Sequence, residues 1–247
     1  MTEGTMQLAV VCASVRDGRL GPTISEWFVD HAKQRDDLQV DYIDLADHPL
    51  PYQISENPSP EDAHALEQIT PRLERADAFV LVTPEYNHSF PASLKHLIDW
   101  HGTQWRAKPV GFVSYGGIAG GLRAVEQLRP VLGELHAVAL RESVSFPIVW
   151  NKFDESGQPV DPTDAISAAD KMIEHLLWWG HALREARRTP PTWGEMIAGD
   201  SKRGGSPDYT STPSGCESND SRVRTLVLGN RISVGATLHA PAGVVPR

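Results

Sequence analysis

Thr83-Pro84-Glu85-Tyr86-Asn87-His88-Ser89-Phe90-Pro91-Ala92-Ser93-Leu94-Lys95-His96-Leu97-Ile98-Asp99-Trp100 directly follows the apolar run Ala78-Phe79-Val80-Leu81-Val82. The run reads as a buried strand, and Leu94, Leu97 and Ile98 fall at helical spacing. A polar loop with an aromatic and an amide therefore stands at the carboxyl end of a buried strand, the place where open α/β sheets bind ligands. Taken alone, Tyr86-Asn87 also fits a turn whose Tyr packs inward and whose Asn caps it.

Outward from this stretch, short apolar runs alternate with amphipathic segments. Residues 8–13, 40–45, 109–115 and 137–144 read as four further strands. Residues 23–35 read as a helix with Ile24, Trp27, Phe28 and His31 on one stripe, and 61–69 as another. Thr70-Pro71 restarts a short helix, with Thr70 as N-cap and Pro71 at the first position. Residues 122–135 carry Leu122, Val125, Leu128 and Leu132; residues 162–188 carry Ile166, Ala169, Ile173, Leu176 and Leu177. Residues 48–60 and 146–160 read as irregular. The β-α alternation implies a parallel sheet covered on both faces, and five strands suit the doubly wound order 2-1-3-4-5. Trp178-Trp179 reads as core or subunit interface, and Trp100 and Trp105 as packing residues, with a pocket wall or a dimer contact as the alternatives.

Residues 1–189 are expected to form one domain. Beyond Pro190-Pro191, residues 190–247 are rich in Gly, Ser, Pro, Asp and Thr, too poor in apolar groups over 200–220 to offset ordering entropy. This C-terminal extension is expected to be largely irregular, with one candidate hairpin around Gly229-Asn230.

A formal net charge of −9 argues against general affinity for nucleic acid or anionic membrane. The two cysteines, Cys12 in an apolar run and Cys216 in the polar extension, do not suggest a disulfide. The first residues lack the basic and apolar regions of a signal peptide, and no apolar run approaches the ~20 residues that span a bilayer. The expected location is cytoplasmic. H-E-x-x-H, Cys/His metal spacing, G-x-S-x-G and the Walker loop are all missing.

Three constellations can carry chemistry. The loop after the first strand, Ser14-Val15-Arg16-Asp17-Gly18-Arg19-Leu20-Gly21-Pro22-Thr23-Ile24, runs into a helix start, where free N–H groups favour an anion. Ser14 and Thr23 offer hydroxyls; Arg16 and Arg19 offer charge-assisted hydrogen bonds. An ordinary solvated loop capped by Thr23 is the plainer alternative. The second is Pro84, Glu85, Tyr86 and Asn87, able to give amide and aromatic contacts to a flat ring. The third is Ser114-Tyr115-Gly116-Gly117, whose glycines let backbone approach a flat ligand closely. In the order 2-1-3-4-5 these strand ends are neighbours.

The motif T-P-E-Y-N-x-S-x-P-x-x-L-K-x-x-I-D-W closely resembles the flavin-contacting segment of the NADPH-dependent FMN reductases, a flavodoxin-like family. Ala13-Ser14-Val15-Arg16-Asp17-Gly18-Arg19-Leu20-Gly21 is similar to the S-x-R-x-x-R-x-G phosphate loop of one branch. Ala13 stands where the family has Gly, and the S-x-N of other branches is missing. The resemblance covers residues 6–188. It implies bound FMN, with its phosphate near Ser14, Arg16, Arg19, Thr23 and Ile24. The flavin ring is implied against Pro84, Glu85, Tyr86 and Asn87, with its pyrimidine end at Ser114, Tyr115, Gly116 and Gly117. It implies hydride transfer from NADPH or NADH to the flavin, then electrons to a quinone, free flavin, azo compound or metal oxyanion. No catalytic side chain is required. It also implies a homodimer or homotetramer. A flavin-binding electron carrier or redox sensor is the alternative, although the dedicated carriers carry a T-x-[ST]-G-x-[ST] loop that this chain lacks. A member acting only in protein interaction is a third reading.

Overall fold

The computed structural model describes residues 4–189; the candidate hairpin, Cys216 and the expected irregular extension lie outside them. The chain runs β1 (Met6–Cys12), α1 (Gly21–Ala32), β2 (Leu38–Asp44), α2 (Pro60–Glu67), α3 (Thr70–Arg75), β3 (Ala78–Pro84), α4 (Ala92–Trp100), β4 (Pro109–Tyr115), α5 (Leu122–Glu134), β5 (Val138–Phe146) and α6 (Pro162–Arg188). All strand pairs are parallel, in the order β2-β1-β3-β4-β5. This is the doubly wound, flavodoxin-like arrangement that the sequence implied, with its switch point between β1 and β3.

Every residue of β3 and β4 is buried, as strands covered on both faces require. Alternate side chains feed two cores. Met6, Leu8, Val10, Val80 and Val113 pack with Ile24, Phe28, Met172, Ile173 and Leu176 from α1 and α6. Ala9, Val11, Phe79, Leu81 and Phe112 pack with Leu73, Leu94, Leu97, Leu128 and Leu132 from α3, α4 and α5. Each large apolar side chain so buried contributes roughly 1.5–3 kcal/mol. Helix α6 lies close on β4 because residue 111 is glycine: a Cβ there would stand 2.8 Å from Met172 Sδ.

Four local readings change. Thr70 is the first residue of α3, not its cap; Ile69 precedes it without a side-chain cap, and the Thr70 hydroxyl instead bonds His101 Nε2 at 2.9 Å. Helix α2 starts one residue earlier than the sequence suggested, because Ser59 caps it and Pro60 takes the first position. Ile166 is exposed beside the otherwise buried stripe of α6. Trp178 is 65% exposed and Trp179 37%, so neither is core within this chain. Trp105 is fully buried against Phe79, ring centroids 4.5 Å apart, and Trp100 bonds the Pro51 carbonyl. Both are packing residues, as expected. Among the described residues no helix is long and apolar enough to cross a membrane, and no cluster suits a metal ion.

Candidate functional site

The carboxyl ends of β1, β3 and β4 and the turn after β5 enclose a cleft of 260 Å³. Ser14, Arg16, Gly18, Arg19 and Leu20 line it from the first loop, Pro84, Glu85 and Tyr86 from the second, and Tyr115, Gly116 and Gly117 from the third. Val149 and Trp150 complete it. A larger hollow of 670 Å³ beside Trp178 and Trp179 lies at the opposite end of the sheet, along the start of β5. It is remote from the switch point.

Helix α1 enters the cleft without a side-chain cap: Leu20 holds the cap position and Thr23 does not cap. Pro22 has no N–H and the Ile24 N–H bonds the Leu20 carbonyl, so the Gly21 and Thr23 N–H groups are those left without a partner inside the helix. Ser14 Oγ and Tyr86 Oη share a hydrogen bond of 2.7 Å, tying the first loop to the second. Arg16 makes no hydrogen bond or ion pair among the described residues; its guanidinium stands 6.0 Å from the centroid of the Tyr86 ring. Arg19 behaves differently. Its Nη1 donates to Asp44 Oδ1 at 2.5 Å and to the Ser14 carbonyl at 2.7 Å, and the hydrogen bond with Asp44 raises its pKa. Asp44 also accepts from the Ala46 N–H and the Tyr42 hydroxyl. Beneath this strut the Cys12 thiol is buried and its pKa is raised, chiefly by burial, so its thiolate is suppressed. The Tyr115 hydroxyl is buried beside Gly21 with no hydrogen-bond partner among the described residues. Burial pushes its pKa up, keeping it a protonated donor.

The second loop closes on itself. Tyr86 and Ser89 exchange two backbone hydrogen bonds, 2.8 and 3.0 Å, around Asn87 and His88, both at positive φ (50° and 72°). This is the geometry of a two-residue primed turn, which Asn tolerates and His does not favour. Helix α5 clamps it: Arg123 Nη1 donates to Glu85 at 2.8 Å, and Gln127 Nε2 donates to the His88 carbonyl at 2.7 Å. The third loop is pinned by Ser114, whose buried hydroxyl donates to the Gly120 carbonyl at 2.8 Å. Gly120 and Gly121 both adopt positive φ, 59° and 84°, which explains why glycines stand there.

Of the residues singled out in the sequence, Ser14, Arg16, Arg19, Pro84, Glu85, Tyr86, Tyr115, Gly116 and Gly117 converge on the cleft. Ile24 does not; it is fully buried in the core. Thr23 faces the turn at 154–158 instead, with its methyl near Gly157. Asn87 and Ser114 shape loops rather than line the cleft. Sequence reasoning missed Asp44, Val149 and Trp150. Asp44 at the end of the second strand was the only one with a signal, as an acid among apolar positions.

An uncapped helix start and an Arg that makes no hydrogen bond or ion pair among the described residues suit a phosphate-bearing ligand, and two adjacent glycines suit a flat one. They lie at the switch-point end of the parallel sheet, where doubly wound folds bind ligands. Residues 6–151 match the model of the NADPH-dependent FMN reductases, and the chain belongs to that family. It is 36% identical over 138 residues to an NAD(P)H-dependent FMN reductase of Schizosaccharomyces pombe, covering 53% of this chain and 68% of the relative. A 2-hydroxy-1,4-benzoquinone reductase of Burkholderia is 30% identical over 157 residues, 61% of this chain and 81% of that one. The flavoenzyme NAD(P)H:(acceptor) oxidoreductase of Paracoccus denitrificans shares the fold at a TM-score of 0.56 and 22% identity, over 71% of this chain and 97% of its own.

Proposed function

We propose that the cleft binds FMN and that the chain passes electrons from NADPH or NADH to a small acceptor, a quinone before free flavin, azo compounds or metal oxyanions. The observation that carries this reading is the meeting, at adjacent strand ends, of an uncapped helix, an unpaired Arg16 and the bare Gly116-Gly117 backbone. FMN held there would supply the hydride and electron chemistry. The chain's own residues bind and orient it. Ser14, Arg16 and the first N–H groups of α1 hold the phosphate. Arg19, engaged by Asp44, holds the Ser14 carbonyl and so the shape of the loop. The loops at Pro84, Glu85, Tyr86 and Asn87 and at Ser114, Tyr115, Gly116 and Gly117 take the ring, the first stiffened by α5.

An electron carrier without turnover is the second reading. The Ser-x-Arg loop and the small residues at the cleft's edge favour the enzyme. The proposal includes a homodimer or homotetramer located in the cytoplasm; sedimentation velocity tests the first part. Fluorescence titration tests the cofactor: FMN is expected to bind, FAD no better, and riboflavin more weakly for want of the phosphate. Equal affinity for FMN and riboflavin would contradict the phosphate assignment.

A further inference from the structure

The turn after β5 is built at a conformational cost. Ile148 adopts φ 51°, ψ 54°, left-handed backbone that a β-branched residue rarely takes. Strain of this kind persists only where its surroundings impose it. Here they do: Ile148 N–H donates to the Gly117 carbonyl at 2.9 Å, Val149 N–H to the Gly116 carbonyl at 3.1 Å, and Gly116 N–H to the Phe146 carbonyl at 3.3 Å. Folding the chain back this way carries Trp150 over the third loop. Its Cη2 stands 3.9 Å from where a Cβ on Gly117 would be, it lines the cleft, and it is 65% exposed. A strained turn thus holds a large aromatic ring, still mostly in water, beside the glycines of the site.

We propose that Trp150 is the stacking platform for the planar ring of the co-substrate, the nicotinamide during reduction and the quinone during reoxidation. This rests on the FMN reading above. Three facts favour a visiting ring over a resident one. The indole is on the outer side of the cleft, with most of its surface open to solvent. It hangs from a loop bonded to Gly116 and Gly117, so it is placed before any ligand arrives. Of the cleft's other aromatics, Tyr86 is tied to Ser14 by a hydrogen bond and has the Arg16 guanidinium over its ring, and Tyr115 is buried. Trp150 is thus the cleft's unpartnered aromatic surface among the described residues.

The test compares wild type, Trp150→Phe and Trp150→Ala, each with FMN bound. FMN dissociation constants are measured by fluorescence titration. The concentration dependence of each half-reaction is measured by anaerobic stopped flow, first with NADPH and then with benzoquinone. Aromatic stacking of ordinary strength corresponds to about a two- to tenfold change in binding. Trp150→Ala is expected to raise the half-saturating NADPH and benzoquinone concentrations by that factor. Its FMN affinity should stay within twofold, and Trp150→Phe should recover most of the loss. Weaker FMN binding with unchanged half-saturation would make Trp150 a flavin wall and overturn the proposal. Unchanged half-reactions in Trp150→Ala would overturn it as well. Failure of the wild type to bind FMN or be reduced would sink the FMN reading itself, and this proposal with it.

Discussion

Arg16 and Arg19 lie in one loop, yet only Arg16 is free to meet an anion. A charge-assisted hydrogen bond contributes roughly 1.5–3 kcal/mol, so Arg16→Ala is expected to weaken FMN binding about ten- to a hundredfold with the melting temperature little changed. Arg19→Gln and Asp44→Asn should behave as one unit, because each breaks the same mostly buried pair. Each should loosen FMN, and the double variant should be no worse than the poorer single one. Additive losses would mean that Arg19 touches the phosphate directly. His88 gives a different kind of test. At φ 72° it sits where glycine is at ease. His88→Gly should leave stability unchanged or raise it by up to about 1 kcal/mol, whereas His88→Val should lower it by about 1 kcal/mol or more. Urea unfolding reads both.

At the scale of elements, the sequence was legible wherever burial is periodic. Strands β3 and β4 announced themselves as apolar runs, and α6 as a long stripe, because a parallel sheet covered on both faces leaves little choice of residue. The motif loops were legible because special backbone conformations demand particular residues, as at Gly120 and Gly121. What escaped depends on contacts distant in sequence. Asp44 matters because β2 places it beside Arg19, and Trp150 because a strained turn brings it back over Gly117. Asp44 stands out as an acid among apolar positions, but neither its pairing with Arg19 nor the return of Trp150 over Gly117 has a local signal. The same is true of Lys108, which Met or Leu could replace by local pattern. It is buried at the start of β4 and donates to the Leu73 and Glu74 carbonyls at the end of α3. Burial pulls its pKa down to about 8 from 10.5. The unfolded chain therefore binds more protons than the folded one between those values, and stability should rise with pH across that window. Relative to Lys108→Met, which does not titrate there, the wild type should gain on the order of 1–3 kcal/mol from pH 8 to pH 10.5. Denaturation at a series of pH values checks the sign; a gap that stays constant would count against it.

For the whole molecule, we propose that residues 1–189 are the complete flavin-binding unit. A chain ending at Thr189 is expected to keep its FMN affinity and to melt within a few degrees of the full chain. Insoluble protein or lost flavin would assign residues 190–247 to the fold or to a neighbouring subunit's site. The central claim, that the strand-end cleft is a redox site with turnover, is tested most directly by anaerobic stopped flow on the FMN-loaded full chain. Flavin absorbance is followed on mixing with NADPH or NADH, and then with a quinone. Expected are bleaching faster than for free FMN at the same concentration and recovery of colour with the quinone, in a ping-pong pattern. Bound flavin that neither nucleotide reduces faster than free FMN would contradict the claim and leave a carrier or sensor in its place.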